Sequence, residues 1–259
     1  MAIADIKDEK SRLVKGSGQV FTPSRIVTCM LDYCGYVGDN MSRRHIIDNS
    51  RGDGAFLCEA MVRYCRCYLA QKHSAEGLRV ELQQYVHGIE IDGKAWSNCL
   101  FNLDNVAAAF GVKGVRWDVV NADTLTVTRY DGLMDYVVGN PPYVRVQNLA
   151  ENYSAVKALH FANGGMTDLY LVFFEIGLRM LSPQGRLRYI TPVSWLSSLA
   201  ATYMRRYICS RANLIDYSTI VPVIGLTPLW WCRREPRVWG RRCRLRRRLR
   251  MSLWQGRPS

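Results

Sequence analysis

No apolar run in this 259-residue chain approaches the ~20 residues that a membrane helix requires, so no span is expected. The first ten residues, MAIADIKDEK, are polar and charged and lack the apolar core of a secretory signal. These two absences make a cytoplasmic protein the expectation. Nine cysteines are present, but no CxxC pair is. The closest two, Cys65 and Cys67, are too near each other for usual zinc ligands. The four histidines, His45, His73, His87 and His160, form no metal or triad signature. No metal site is expected, and the cysteines read as reduced, mostly buried thiols. No internal repeat is found.

Acidic residues are scarce in one place only. The chain carries a net charge of +13, yet its last 39 residues hold eleven Arg, no Lys and one Glu. The basic excess therefore sits almost wholly in that tail, which is also rich in Trp, Pro and Gly and follows neither the helical nor the strand period. Two readings of it stand side by side. One is an arm whose arginines grip phosphate and whose tryptophans stack on bases. The other, favoured by the abrupt loss of Lys, is an out-of-frame translation of a GC-rich gene. Either way, no regular structure beyond one short helix is expected after Ile220.

The hydrophobic content of 48% is enough for one large core. Apolar strands alternate with amphipathic helices. QVFTPSRIVTCMLDYC reads as a helix capped by Thr22, with Pro23 in its first turn and Ile26, Val27, Met30 and Leu31 on one face. RHIIDNSRGDGAFL reads as strand, glycine turn and helix. YVHGIEID, GVRWDVVNADTL, LMDYVVGNPPY, RLRYITP and NLIDYSTI supply five further strands. Helices are expected over 94–110, over TDLYLVFFEIGLRML up to SPQG, and over LAATYMRRYICSRA. That alternation predicts a doubly wound, mostly parallel α/β sheet. Ligands of such sheets bind at the carboxyl ends of the strands. Asp48 to Gly54, Glu90, Asp123 and Asn140 to Tyr143 are thereby placed on one rim.

Each of these stretches has a chemistry. Gly52 and Gly54 allow a sharp strand-to-helix turn and close approach of a ligand to the backbone. Glu90, ending the second strand, can accept both hydroxyl protons of a ribose, and Asp123 an adenine amino proton. Each of these three features also occurs as an ordinary turn or strand-end acid. Asn140-Pro141-Pro142-Tyr143 is more specific. An aromatic exocyclic amine is a poor nucleophile because its lone pair is delocalised into the ring. Asn140 offers a side-chain carbonyl, and Pro141, lacking an N–H, offers only a backbone carbonyl. Two acceptors aimed at one NH₂ group stabilise the positive charge that grows on nitrogen during attack. Pro142 restricts Pro141 and so fixes that carbonyl's direction. Tyr143 can stack on the base.

With these motifs in place, the chain resembles the γ-class S-adenosylmethionine-dependent N6-adenine DNA methyltransferases of restriction–modification systems. GQVFTP looks like the motif that precedes their fold, DNSRGDGAFL their cofactor glycine motif, GIEID the ribose acid, NADTL the adenine-contact loop and NPPY the catalytic tetrapeptide. The resemblance implies a Rossmann-like methyltransferase sheet over 18–220. A 17-residue extension would precede it, and the tail 221–259 would follow as a non-native or disordered segment. It implies S-adenosylmethionine as cofactor, double-stranded DNA as substrate, and a cognate restriction endonuclease or specificity subunit as partner. Thr22 would contact the cofactor's amino-acid end. Asp48, Ser50 and Gly52 would line its methionine part. Glu90 would hold the ribose, and Asp123 with Thr124 the adenine. Asn140, Pro141, Pro142 and Tyr143 would bind a flipped adenine.

The family pattern is broken in two places. Asn49 and Arg51 stand where small residues or proline are usual, and Arg51 places a cation beside a sulfonium. The terminal antiparallel hairpin and the recognition region are expected to be incomplete. Two alternatives therefore stay open: an inactive, truncated remnant, and a methyltransferase acting on a protein glutamine or an RNA amine.

Overall fold

The protein is described by a computed structural model over residues 22–50, 52–71, 73–146, 156, 159–161, 168–220 and 227–234. The 17-residue extension, Arg51 and the basic stretch after Arg234 lie outside the described residues, so the sequence readings made of them are not addressed by the fold.

Helix α1, Ser24–Cys34, opens the described chain and buries Val27, Met30, Leu31 and Cys34. Thr22 does not cap it. Pro23 holds the cap position without a side-chain hydrogen bond, and its carbonyl accepts from the Ile26 and Val27 amides. Strand β1, Ile46–Asp48, leads through the glycine turn into α2, Ala55–Ala70. Helix α3, Ala75–Tyr85, is not anticipated from the sequence, since of its residues only Leu78 and Leu82 are buried. Then come β2, Val86–Glu90, α4, Gly93–Ala109, β3, Asp118–Asn121, and β4, Met134–Gly139. Helix α5, Leu169–Met180, is buried on nearly every side, which accounts for its apolar sequence. It passes directly into β5, Leu181–Ile190, where SPQG is absorbed as an irregularity: pairing jumps from Met134↔Leu181 to Tyr136↔Arg186. Helix α6, Thr202–Arg211, and strands β6, Ala212–Ile220, and β7, Thr227–Arg234, complete the described α-helices and strands.

The strands form one seven-stranded sheet in the order β3-β2-β1-β4-β5-β7-β6. β3 through β5 run parallel, and β7 pairs antiparallel with both β5 and β6. The antiparallel hairpin expected to be incomplete thus has both strands. The Thr-Pro-Leu-Trp-Trp-Cys segment of the tail combines strand-favouring residues, and its backbone fills the slot between β5 and β6.

Alternation along the strands sends successive side chains into two cores. Ile47, Ile89, Val137, Leu187 and Tyr189 join a cluster built with α5 and α6. Ile46, Val86, Tyr136, Val138 and Ile190 join a second built with α1, α2, α3 and α4. A sheet covered on both faces suits parallel strands with near-continuous apolar sequence. At the amino ends of the strands runs a polar chain. Asp118 Oδ2 lies 2.6 Å from His87 Nδ1, and His87 Nε2 lies 2.8 Å from His45 Nδ1. No helix of the described residues is long and apolar enough to cross a membrane.

Candidate active site

The strand order reverses between β1 and β4, because the chain first winds outward through β2 to β3 and then returns. In open α/β sheets the crevice at this switch point, at the carboxyl ends, is where ligands sit. Register places the sequence-predicted residues there. Asp48 pairs with Gly88 on one side and Val138 on the other. Glu90 and Asn140 each stand two residues beyond those partners, so they rise to one level on either side of β1. Glu90 in turn pairs with Asn121, and Asp123 lies two residues further on.

The glycine turn is tied down by carboxylates. Asp48, buried at the end of β1, accepts through Oδ1 from the Ser50 amide at 2.9 Å and from the Ser50 hydroxyl at 3.4 Å. Gly52 and Gly54 both have positive φ, 58° and 87°. Glu90 accepts from the Gly52 amide through Oε2 at 2.9 Å and from the Asp92 amide through Oε1 at 2.7 Å. Asp92 then caps α4 by accepting from Ala95 N at 2.7 Å. One buried acid therefore links the first turn to the start of the next helix.

Asn49, a departure from the family pattern in the sequence, lies in the turn of the candidate site. It is fully buried. Its Oδ1 accepts from the Tyr189 hydroxyl at 2.7 Å, and its backbone carbonyl accepts from the Thr124 hydroxyl at 2.7 Å. The turn after β1 is thereby pinned to β5 and to the loop after β3. Thr124 spends its hydroxyl proton on this contact. The only available signal was that a buried amide needs partners, and Tyr189 is indistinguishable in sequence from any core aromatic.

Asp123 accepts from Leu125 N at 2.9 Å through Oδ1. Its Oδ2 is enclosed, and no donor among the described residues reaches it. An enclosed acceptor without a donor costs about 1–3 kcal/mol, which a ligand N–H would relieve. Ile91, the residue after Glu90, leaves 61% of its surface exposed at the same rim and offers an apolar face.

At the end of β4 the backbone passes through Gly139 with φ 156°, where a Cβ would come within 2.4 Å of Ser50 Oγ and 2.9 Å of Asp48 Oδ1. Only glycine lets the two strand ends meet this closely. Asn140 follows with both ends of its amide engaged. Nδ2 donates to Thr22 Oγ1 at 3.2 Å, and Oδ1 accepts from the Tyr143 hydroxyl at 2.6 Å. Tyr143 packs edge-on against Tyr170, with centroids 6.3 Å apart. Burial, then the neighbouring Tyr170, hold its phenol above the ordinary range, so the hydroxyl is a proton donor at neutral pH. Pro141 is buried and Pro142 half-buried. Of the predicted residues, Asp48, Ser50, Gly52, Glu90, Asp123, Thr124 and Asn140 to Tyr143 lie at these strand ends and the turns that follow them, and Thr22 reaches Asn140 from the segment before α1. Among the described residues, no three His, Cys, Asp or Glu side chains are grouped to hold a metal ion.

Comparison with known proteins shows the family and the fold. Residues 69–221, more than half the chain, match the family described as Eco57I restriction-modification methylase. The chain is 28% identical over 202 residues to the type II methyltransferase M.BstVI of Geobacillus stearothermophilus, covering 74% of this chain and 36% of that protein. It is 29% identical over 217 residues to M.XhoI of Xanthomonas vasicola, covering 79% and 39%. The chain thus spans less than two-fifths of the length of these relatives. Its fold is similar to a structure described as a class I S-adenosylmethionine-dependent methyltransferase from Listeria monocytogenes. The TM-score is 0.66 at 15% identity, with 89% of this chain and 65% of that one covered.

Proposed function

The chain belongs to the Eco57I restriction-modification methylase family, and from that premise we propose that it transfers a methyl group from S-adenosylmethionine to the N6 amine of adenine in DNA. The observation that carries this reading is the placement of Asn140 and Glu90 at one level on either side of Asp48, at the point where the strand order reverses.

The residues fit the cofactor. The enclosed Asp123 Oδ2, which no donor among the described residues reaches, suits an adenine amino group. The exposed face of Ile91 suits the flat ring beside it, and Glu90 the ribose hydroxyls. Asp48 and Ser50 close against Gly139, and the open space over the Gly52 backbone is where the methionine part would lie. When bound, the cofactor supplies a methyl group activated by a positive sulfur, which departs as a neutral thioether.

The chain's own groups prepare the acceptor. The Asn140 carbonyl, held by the Tyr143 hydroxyl, is one acceptor for an amine N–H. The Pro141 carbonyl is the other acceptor, and Pro141 has no competing N–H. Together they favour the nitrogen as it gains positive charge, and the amine's surplus proton leaves to solvent. The Tyr143 ring is the stacking face for a base taken out of the duplex. Double-stranded DNA, and a restriction endonuclease or specificity subunit, are the partners this reading implies.

The test is transfer of labelled methyl from S-adenosylmethionine to duplex DNA, to RNA and to unfolded protein, side by side. Label in DNA alone supports the proposal; label in RNA or on protein glutamine replaces it.

A further inference from the structure

Thr22 and Asn140 are 118 positions apart in sequence, yet their side chains are hydrogen-bonded at 3.2 Å. Thr22 is not engaged as a helix cap, because Pro23 takes that place. Tyr143 holds the opposite end of the same amide at 2.6 Å. We infer that Thr22 is a positioning residue for Asn140: its hydroxyl oxygen anchors the amide nitrogen and so sets the plane in which the Asn140 carbonyl faces the acceptor amine.

The physical reason is rotational. The last torsion of an asparagine is broad, with no staggered wells to hold it. Pro141 and Pro142 stiffen the backbone after Asn140 but do not touch this torsion. A carbonyl must point along the amine's N–H to be a useful acceptor, and an amide free to turn presents its NH₂ face part of the time. Hydroxyls at both ends remove that freedom before any base arrives. Thr22 contributes from outside the sheet, through the segment that leads into α1, so the approach of that segment to β4 is itself part of the site. This inference rests on the role proposed for Asn140. It differs from the expectation that Thr22 contacts the cofactor's amino-acid end.

Thr22→Val and Thr22→Ser in the full chain test it. Valine keeps the shape and removes the acceptor; serine restores the acceptor. The expected result for Thr22→Val is a fall in methyl-transfer turnover of roughly 10- to 100-fold. Its calorimetric affinity for S-adenosylmethionine should be unchanged, and Thr22→Ser should recover most of the turnover. A second readout needs no turnover. The Asn140 carboxamide pair in a ¹H–¹⁵N spectrum, assigned by its loss in Asn140→Asp, should shift in Thr22→Val and stay in place in Thr22→Ser. An unmoved pair in Thr22→Val overturns the inference. So does weakened cofactor affinity with turnover intact, which would return Thr22 to the cofactor. If the parent chain binds cofactor but methylates nothing, the proposed function fails while the amide spectrum still decides the position of Thr22.

Discussion

The Tyr189 hydroxyl on β5 donates to Asn49 Oδ1 on the turn after β1 at 2.7 Å, with both side chains fully buried. This bond crosses the switch point beneath the rim and holds the turn after β1 against the sheet. Tyr189→Phe removes the donor and leaves a buried amide oxygen without a partner. A loss of about 1–3 kcal/mol in denaturant unfolding is expected, together with weaker S-adenosylmethionine binding by calorimetry. Unchanged stability would show that the bond contributes nothing to the turn.

Gly177 in α5 decides between two opposing effects. An alanine there gains about 0.5–1 kcal/mol of helix propensity. Its Cβ, however, would lie 2.4 Å from both Leu187 Cδ1 and Tyr189 Oη. These atoms sit in the packed core and cannot retreat cheaply, and overpacking costs about 1–3 kcal/mol. Gly177→Ala is therefore expected to lower the melting temperature despite its better propensity, and a rise would mean that α5 shifts freely.

Gly139 joins β4 to the Asn140–Tyr143 tetrapeptide. A methyl group there would press on Ser50 Oγ and Asp48 Oδ1. Gly139→Ala should weaken S-adenosylmethionine affinity by at least roughly tenfold, a cost of about 1.4 kcal/mol. Calorimetric affinity equal to that of the parent would place the methionine end of the cofactor elsewhere.

Away from the site, the His45–His87–Asp118 chain predicts a pH dependence. Burial first, then the neighbouring His87, lower the His45 pKa below its ordinary 6.5. Asp135 and Asp118 pull the other way, Asp135 is itself paired with Arg44, and the Tyr85 ring lies edge-on. A histidine with a depressed folded pKa is held neutral, so the unfolded chain binds the extra proton first. Its contribution is complete above pH 6.5 and is lost as pH falls from there through the lowered folded value. Asp118 is also depressed, its burial outweighed by His87 and Arg129, and acts only below its ordinary 3.8. The melting temperature should be flat above about pH 7 and fall toward about pH 5. His45→Gln should flatten that fall; an equally steep fall in the variant would assign it to other groups.

Much of this was legible in the sequence because it rests on local pattern. The strand ends carrying Asp48, Glu90, Asp123 and Asn140 follow from apolar runs bounded by turn residues. Parallel pairing then sets them on one rim. What was not legible depends on pairs far apart in the chain. Nothing near Asn49 announces Tyr189, and nothing near Thr22 announces Asn140. The same holds for β7: its strand is stabilised by two flanking strands, so the Arg-rich surroundings hid it. Helix α3 was hidden because it buries only one narrow apolar stripe.

In the proposed reaction the Asn140 amide makes an adenine amine reactive. Its most direct test is to incubate the chain and its Asn140→Ala variant with methyl-labelled S-adenosylmethionine and duplex DNA of mixed sequence, then identify the labelled nucleoside after complete digestion. N6-methyldeoxyadenosine is the expected labelled product, with yield per unit time falling by about 10²–10³ in the variant. Label on cytosine, or labelled adenine formed equally fast without Asn140, would contradict it.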